Sequence, residues 1–295
     1  EAVDKPRQLL DESKPVVLAG YFGDRNMASL LDSKLLDSLD TVILNAVPGA
    51  GVLRNPGHPK LFHIRAGDEQ QIQKIVSHAR ALNIQSMGVL FQDLPIGTSG
   101  LAAAKAAAAE VGGIEIIEAK SGTEAADIAQ AAKAIAAKAP QSALVVGAPK
   151  FSGEGIAALR AAGVTQQIFT LSYLPAPALQ KFAGQGARGV GIAQTYPNPS
   201  GVTSPLHRAF RAAMQKTHPG ISSYTPFHME GYITARVFAE AARKAKSVTP
   251  SGIAESLRRS GEFDLGGFRV NFSKGNVGSQ WVDIGVVTSD GKLMY

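Results

Sequence analysis

The chain has 295 residues, 45% hydrophobic and 18% charged, a balance that excludes intrinsic disorder and suits one large or two medium domains. Its formal net charge is +6, but Lys and Arg are spread along the chain and no basic stripe interleaves with aromatics, so nucleic acid is not expected as a partner. There is no cysteine, which rules out disulfides and thiolate metal sites, and charge, Gly or Pro interrupts every apolar run before it reaches bilayer-spanning length.

The opening residues, Glu1 to Leu10, form a charged amphipathic segment and do not read as a signal peptide. Short apolar runs then recur at residues 15–20 (PVVLAG), 41–47 (TVILNAV), 87–91 (MGVLF), 114–118 (IEIIE), 143–147 (ALVVG) and 167–171 (QIFTL). Continuous apolar strands of this length suit a parallel sheet covered on both faces. Helical periodicity fills the intervals. Ile72, Ile75, Val76, Ala79 and Leu82 mark one face of 68–83, and 100–110 and 125–138 are rich in alanine, the best helix former. Ser204-Pro205 and Thr249-Pro250 have the form of an N-cap followed by Pro at the first helical position. The alternation predicts α/β layers with mostly parallel sheets flanked by helices.

Beyond the expected helices at 205–216, 226–246 and 251–260, two apolar runs at 268–272 and 280–287 flank Ser273-Lys274-Gly275-Asn276. That pattern predicts a terminal β-hairpin.

No catalytic constellation stands out, and the chain is expected not to be an enzyme. Gly49-Ala50-Gly51 follows a strand, but the third glycine of a dinucleotide fingerprint falls at Arg54, so a Rossmann-type oxidoreductase is a weak alternative and no cofactor is expected. Gly97-Thr98-Ser99-Gly100 lacks the spacing of a nucleophile elbow. The six histidines show no metal-hydrolase spacing, and no metal is expected. The remaining signal is a set of loops at the C-terminal ends of strands, where open α/β sheets bind ligands: 21–26, 48–54, 92–98, 149–153 and 172–175. Tyr21, Phe22 and Tyr173 are candidate apolar walls. Asp24, Arg25, Asp93 and Lys150 are candidate polar anchors, and Pro48, Gly49, Ile96 and Pro149 complete the expected ligand surface.

In order along the chain, Val17-Leu18-Ala19-Gly20 with Asp24 and Ala28, residues 48–54 (PGAGVLR), residues 61–66 (LFHIRA), Val89-Leu90-Phe91-Gln92-Asp93, residues 159–163 (LRAAG), Glu230-Gly231-Tyr232 and residues 264–268 (DLGGF) resemble the periplasmic branched-chain amino-acid-binding proteins of ABC importers. The resemblance implies a two-lobed clamshell of the type I periplasmic binding fold. Lobe 1 would comprise residues 1–65 and 195–265, and lobe 2 residues 66–194 and 266–295. Its crossings would lie near 65–67, 194–197 and 265–268. It further implies an exported, monomeric protein that holds a small solute between its lobes by hinge closure and docks on a membrane permease. A ligand-sensing regulatory module of the same fold is the alternative. In family members a βαβ unit of about 30 residues or more precedes the helix that 1–11 resembles, and it is expected to be absent here.

Four positions of the family's amino-acid clamp differ. Its carboxylate-binding serine falls at Asp24, its threonine at Gly49, its stacking tyrosine at Pro149 and its ammonium-binding acid at Tyr173. The expected ligand is therefore not a free branched-chain amino acid. It is a small amino-acid-like or organic or aromatic acid held by Tyr21, Phe22 and Tyr173, with an anion contact from Arg25 or Lys150.

Overall fold

The computed structural model describes residues 4–295. Of the opening segment, residues 1–3 lie outside the described residues. In chain order the elements are α1 (Asp4–Ser13), β1 (Val17–Ala19), α2 (Asp24–Asp32), α3 (Leu35–Ser38), β2 (Val42–Leu44), β3 (Leu61–Phe62), α4 (Asp68–Ala81), β4 (Ser86–Gln92) and α5 (Pro95–Val111). Next come β5 (Glu115–Ser121), α6 (Ala125–Ala136), β6 (Ser142–Val146), α7 (Pro149–Ala161), β7 (Gln167–Thr170), α8 (Ala176–Ala183) and β8 (Gly191–Gln194). The chain ends with α9 (Pro205–Thr217), α10 (Pro226–Lys244), α11 (Pro250–Arg259), β9 (Glu262–Asp264), β10 (Arg269–Asn271), β11 (Asp283–Val287) and β12 (Leu293–Met294). The chain divides into two compact units: Glu1–Gly67 with Tyr196–Trp281, and Asp68–Thr195 with Val282–Tyr295.

In the first unit β1, β2 and β3 form a parallel sheet in that order, with Val17 opposite Val42 and Ile43 opposite Leu61. Strand side chains alternate between faces. Val42 and Leu44 accordingly join a core built with Phe210 of α9, Ile233 and Val237 of α10 and Leu257 of α11. Ile43 points the other way, into Met27 and Leu30 of α2 and Leu35 and Leu36 of α3. The uniform apolarity of VIL is thus the signature of a strand covered on both sides.

The second unit carries a seven-stranded sheet in the order β12-β11-β8-β7-β6-β4-β5, parallel from β5 to β8 and antiparallel at β11 and β12. On one face, Ile128 and Ile135 of α6, Ile156 and Leu159 of α7 and Leu179 of α8 close over Val145, Ile168 and Ile192. On the other, His78 of α4 meets the edge of Phe169 with ring centroids 6.0 Å apart. Growth of the sheet reverses at β4, which has β5 on one side and β6 on the other. This is a topological switch point, where open α/β sheets place ligands. The expected caps form: Ser204 Oγ accepts from the His207 N–H at 3.2 Å, and Thr249 Oγ1 from the Gly252 N–H at 3.2 Å.

The terminal hairpin takes a different partner from the one the sequence suggests. β10 pairs antiparallel with β9, Val270 opposite Phe263, and not with β11. The connecting turn is 265–268, closed by the Leu265 N–H on the Phe268 carbonyl (3.0 Å), with Gly266 at φ 82° and Gly267 at φ 135°. Two consecutive glycines in that region make a tighter reversal than Ser273–Asn276 can. The chain after Phe272 returns beside His63, whose N–H donates to the Asn276 carbonyl at 2.7 Å and whose carbonyl accepts from Gly278. The passage out of the first unit consequently falls after Trp281, later than the expected 265–268, because Phe268, Val270 and Phe272 are all buried in the first unit's core. β11 is left to pair with β8, Asp283 opposite Gln194.

Candidate functional site

In the first unit the loops after β1 and β2 are tied together. The Val47 N–H donates to the Tyr21 carbonyl (2.8 Å), and the Asn26 amide holds the Phe22 carbonyl (3.1 Å). Arg54 fixes the second loop: Nε and Nη2 donate to the Pro48 carbonyl at 3.2 and 3.1 Å, and Nη1 to the Arg65 carbonyl at 2.8 Å. Tyr21, Asp24, Pro48 and Gly49 are thereby gathered on these two loops. Phe22, 54% exposed, stands out into solvent beside them. Arg25 is exposed on the first turn of α2. Asp24 is half-buried, and its Oδ1 is sealed from solvent and accepts no hydrogen bond among the described residues. Burial pushes its pKa up, opposed by its own backbone N–H and by the charge of Arg54.

Behind these loops lies a buried polar network that sequence reading missed. Asn45, held at φ 60°, accepts at Oδ1 from the Ile64 and Arg65 N–H groups (3.2 and 3.3 Å) and from the Tyr196 hydroxyl (3.0 Å). Its Nδ2 donates to Glu230 Oε1 (3.0 Å) and Thr234 Oγ1 (2.9 Å). Arg65, 1% exposed, pairs with Glu230 at 3.4 Å. Desolvation drives the Tyr196 hydroxyl well above the usual tyrosine range, reinforced by the Glu230 charge, so it keeps the proton it donates to Asn45. His63 stays neutral, with a pKa lowered to about 3, chiefly by burial and then by Arg54. Two signals were present in the sequence: Asn45 breaks the apolar run TVILNAV, and Arg65 breaks LFHIRA. Charged and amide side chains in such runs are kept only with partners, and the partners lie about 150 or more residues away, at Tyr196, Glu230 and Thr234.

The second unit displays its candidates at the ends of β4, β6 and β7. At the switch point Gln92 Oε1 accepts from the Ala148 N–H at 2.8 Å, joining the end of β4, just before the first turn of α5 with Ile96, to the start of α7 with Pro149. Gly97 is obligatory here, since a Cβ would lie 1.9 Å from the Gln92 carbonyl. Ile96 is buried and Pro149 half-buried. The loop after β7 is anchored on the first turn of α4: the Ser172 N–H donates to Gln71 Oε1 at 2.9 Å and the Tyr173 hydroxyl to Asp68 Oδ1 at 2.5 Å. A phenol donating to a carboxylate is a strong orienting bond, so Tyr173 is held in one position. The two charged candidates of this unit, Lys150 and Asp93, differ from this group. Lys150 is 75% exposed at the side chain and 3.6 Å from Glu154 one turn on, while Asp93 pairs with Lys120 at 3.2 Å on the surface. Among the described residues no group of His, Asp and Glu could hold a metal ion, and no helix is long and apolar enough to cross a membrane.

Two α/β units, each presenting aromatic, polar and backbone groups at the C-terminal ends of parallel strands, define the class as an α/β protein with open parallel sheets. The family follows from comparison: residues 1–292 match the model described as periplasmic binding protein, and the chain belongs to that family. It is 46% identical to an extracellular ligand-binding receptor from Verminephrobacter eiseniae ef01-2 (TM-score 0.94, covering 99% of this chain and 84% of that one). It is 25% identical to a substrate-binding periplasmic protein from Ralstonia solanacearum (TM-score 0.85, 99% and 84%). A leucine binding protein from Thermotoga maritima MSB8 shares the fold at 16% identity (TM-score 0.84, 99% and 82%). No curated protein sequence matches the chain.

Proposed function

We propose that this chain is the extracytoplasmic solute-binding component of an ABC importer, taking a small amino-acid-like or organic or aromatic acid and leaving it chemically unchanged. Family membership over residues 1–292 carries this reading. The switch point at β4 supports it, because the loops bearing Ile96 and Pro149 stand where α/β sheets receive ligands. Tyr21, Phe22, Asp24, Pro48 and Gly49 form the first unit's contribution, and Ile96, Pro149 and Tyr173 the second's, with Arg25 and Lys150 as the outer charges. Binding biases a hinge toward a closed form, and that form is what a membrane permease recognises.

The test is thermal unfolding against a library of small metabolites. A ligand present at 100 times its Kd adds about 2.7 kcal/mol and raises Tm visibly. A rise with an amino acid or small acid, and its recovery unaltered after incubation, is the expected outcome. A library in which nothing raises Tm, or a ligand returned as a different compound, overturns it.

A further inference from the structure

The carboxylate of Asp24 is a group the fold does not complete. Its Oδ1 is buried and accepts no hydrogen bond among the described residues. Its own backbone N–H and the charge of Arg54 favour the ionised carboxylate, but the side-chain donors of α2 and of the loop after β2 serve other acceptors. The Asn26 amide donates to the Phe22 carbonyl, the Ser29 hydroxyl to the Arg25 carbonyl, and the Arg54 guanidinium to the Pro48 and Arg65 carbonyls. A carboxylate on the first turn of α2 is favourable to the helix when it lies in water. That role does not require burying an oxygen without a donor, which is costly. Asp24 also opens α2 directly after the loop that carries Tyr21, which the Val47 N–H ties to the loop after β2.

We propose that Asp24 is a specificity-determining residue of the first unit, accepting hydrogen bonds from an ammonium or another N–H or O–H donor of the ligand. This rests on the solute-binding reading and deepens it. A bare carboxylate is excluded at this place by like charge and by having no proton to give. An acid is therefore a ligand only if it also carries a donor, as an amino acid does.

Calorimetric titration of the intact protein with two matched series tests this: phenylalanine, 3-phenylpropanoate and 2-phenylethylamine, and leucine, 4-methylpentanoate and 3-methylbutylamine. In the series that binds, the acid lacking nitrogen binds at least tenfold more weakly than its amine-bearing counterpart. Asp24→Asn costs the amine-bearing compound at least tenfold and narrows its lead over the acid. The same variant raises the Tm of the ligand-free protein, because it removes a partly buried charge whose desolvation outweighs what its own backbone N–H and Arg54 return. Asp32→Asn, at the exposed far end of α2, changes neither reading.

An acid binding as tightly as its amine overturns the assignment. So does Asp24→Asn leaving affinity within twofold, or lowering Tm with binding intact, which would make Asp24 a helix-terminal charge only. If neither series binds, the tenfold criterion passes to whichever library compound raises Tm. A library ligand with no N–H or O–H donor overturns Asp24 alone, and a library without any ligand overturns the solute-binding reading together with it.

Discussion

Arg65 and Glu230 illustrate what a single buried pair does in this protein. Both ions are out of water, so their attraction and the bonds from Asn45 offset desolvation only while both are present. Glu230→Gln removes the buried carboxylate that faces Arg65 and is expected to cost about 3 kcal/mol or more. Glu255→Gln removes a partner that stands closer to Arg259, at 2.8 Å against 3.4 Å, but that pair is exposed, and the expected change is within about 0.5 kcal/mol. Denaturant unfolding of the two variants checks the contrast, and equal losses would mean the buried network does not hold the first unit. At this scale the sequence was only partly legible. That Tyr21, Pro48 and Ile96 stand just beyond strand ends was legible, because those ends are visible in the apolar pattern. Asn45 and Arg65 were visible as interruptions, but nothing local says that Glu230, Thr234 and Tyr196 complete them, since those contacts are made by folding.

Secondary elements were read more successfully than their pairings. The run at residues 41–47 had to be a strand, and the structure shortens it to Val42–Leu44 because Asn45 turns left-handed. The terminal hairpin forms β9–β10 and not the expected pairing across Ser273–Asn276, because two positive φ angles at Gly266-Gly267 reverse the chain earlier. That turn gives a direct test. At Gly266 a Cβ would sit 2.8 Å from the Cβ of Pro205 at φ 82°, so Gly266→Ala is expected to cost about 1–3 kcal/mol. Gly220→Ala meets nothing within 4 Å and carries no positive φ, so a change within about 0.5 kcal/mol is expected there. Thermal unfolding of both variants distinguishes a turn that fixes the β9–β10 register from one that merely tolerates it.

For the molecule as a whole, strand–helix alternation was enough to predict an α/β chain with mostly parallel sheets, because periodicity is written locally and repeats along the sequence. The response of that whole to acid was not legible, since a histidine's proton affinity depends on what surrounds it after folding. His63 has an ordinary unfolded value near 6.5 and a folded value of about 3. Below pH 6.5 the unfolded chain takes up a proton that the folded one refuses. The stabilisation is therefore complete above 6.5 and is lost as pH falls toward 3, at about 1.4 kcal/mol per pH unit. His207, also lowered by burial, adds a contribution of the same sign. Asp24 acts oppositely: its raised pKa means that protonation in acid relieves a buried charge and restores some stability. The carboxylates of Asp37 and Asp290, lowered by hydrogen bonds, lose their contribution only below about pH 3.8. The interval between pH 6.5 and 4.5 thus belongs mainly to the histidines. Unfolding free energies measured across it should fall steeply for the wild type and less steeply for His63→Gln, whose unfolded state no longer gains that proton. Parallel slopes would show that His63 protonates in the folded protein, and that Arg54 and Arg65 do not hold it neutral.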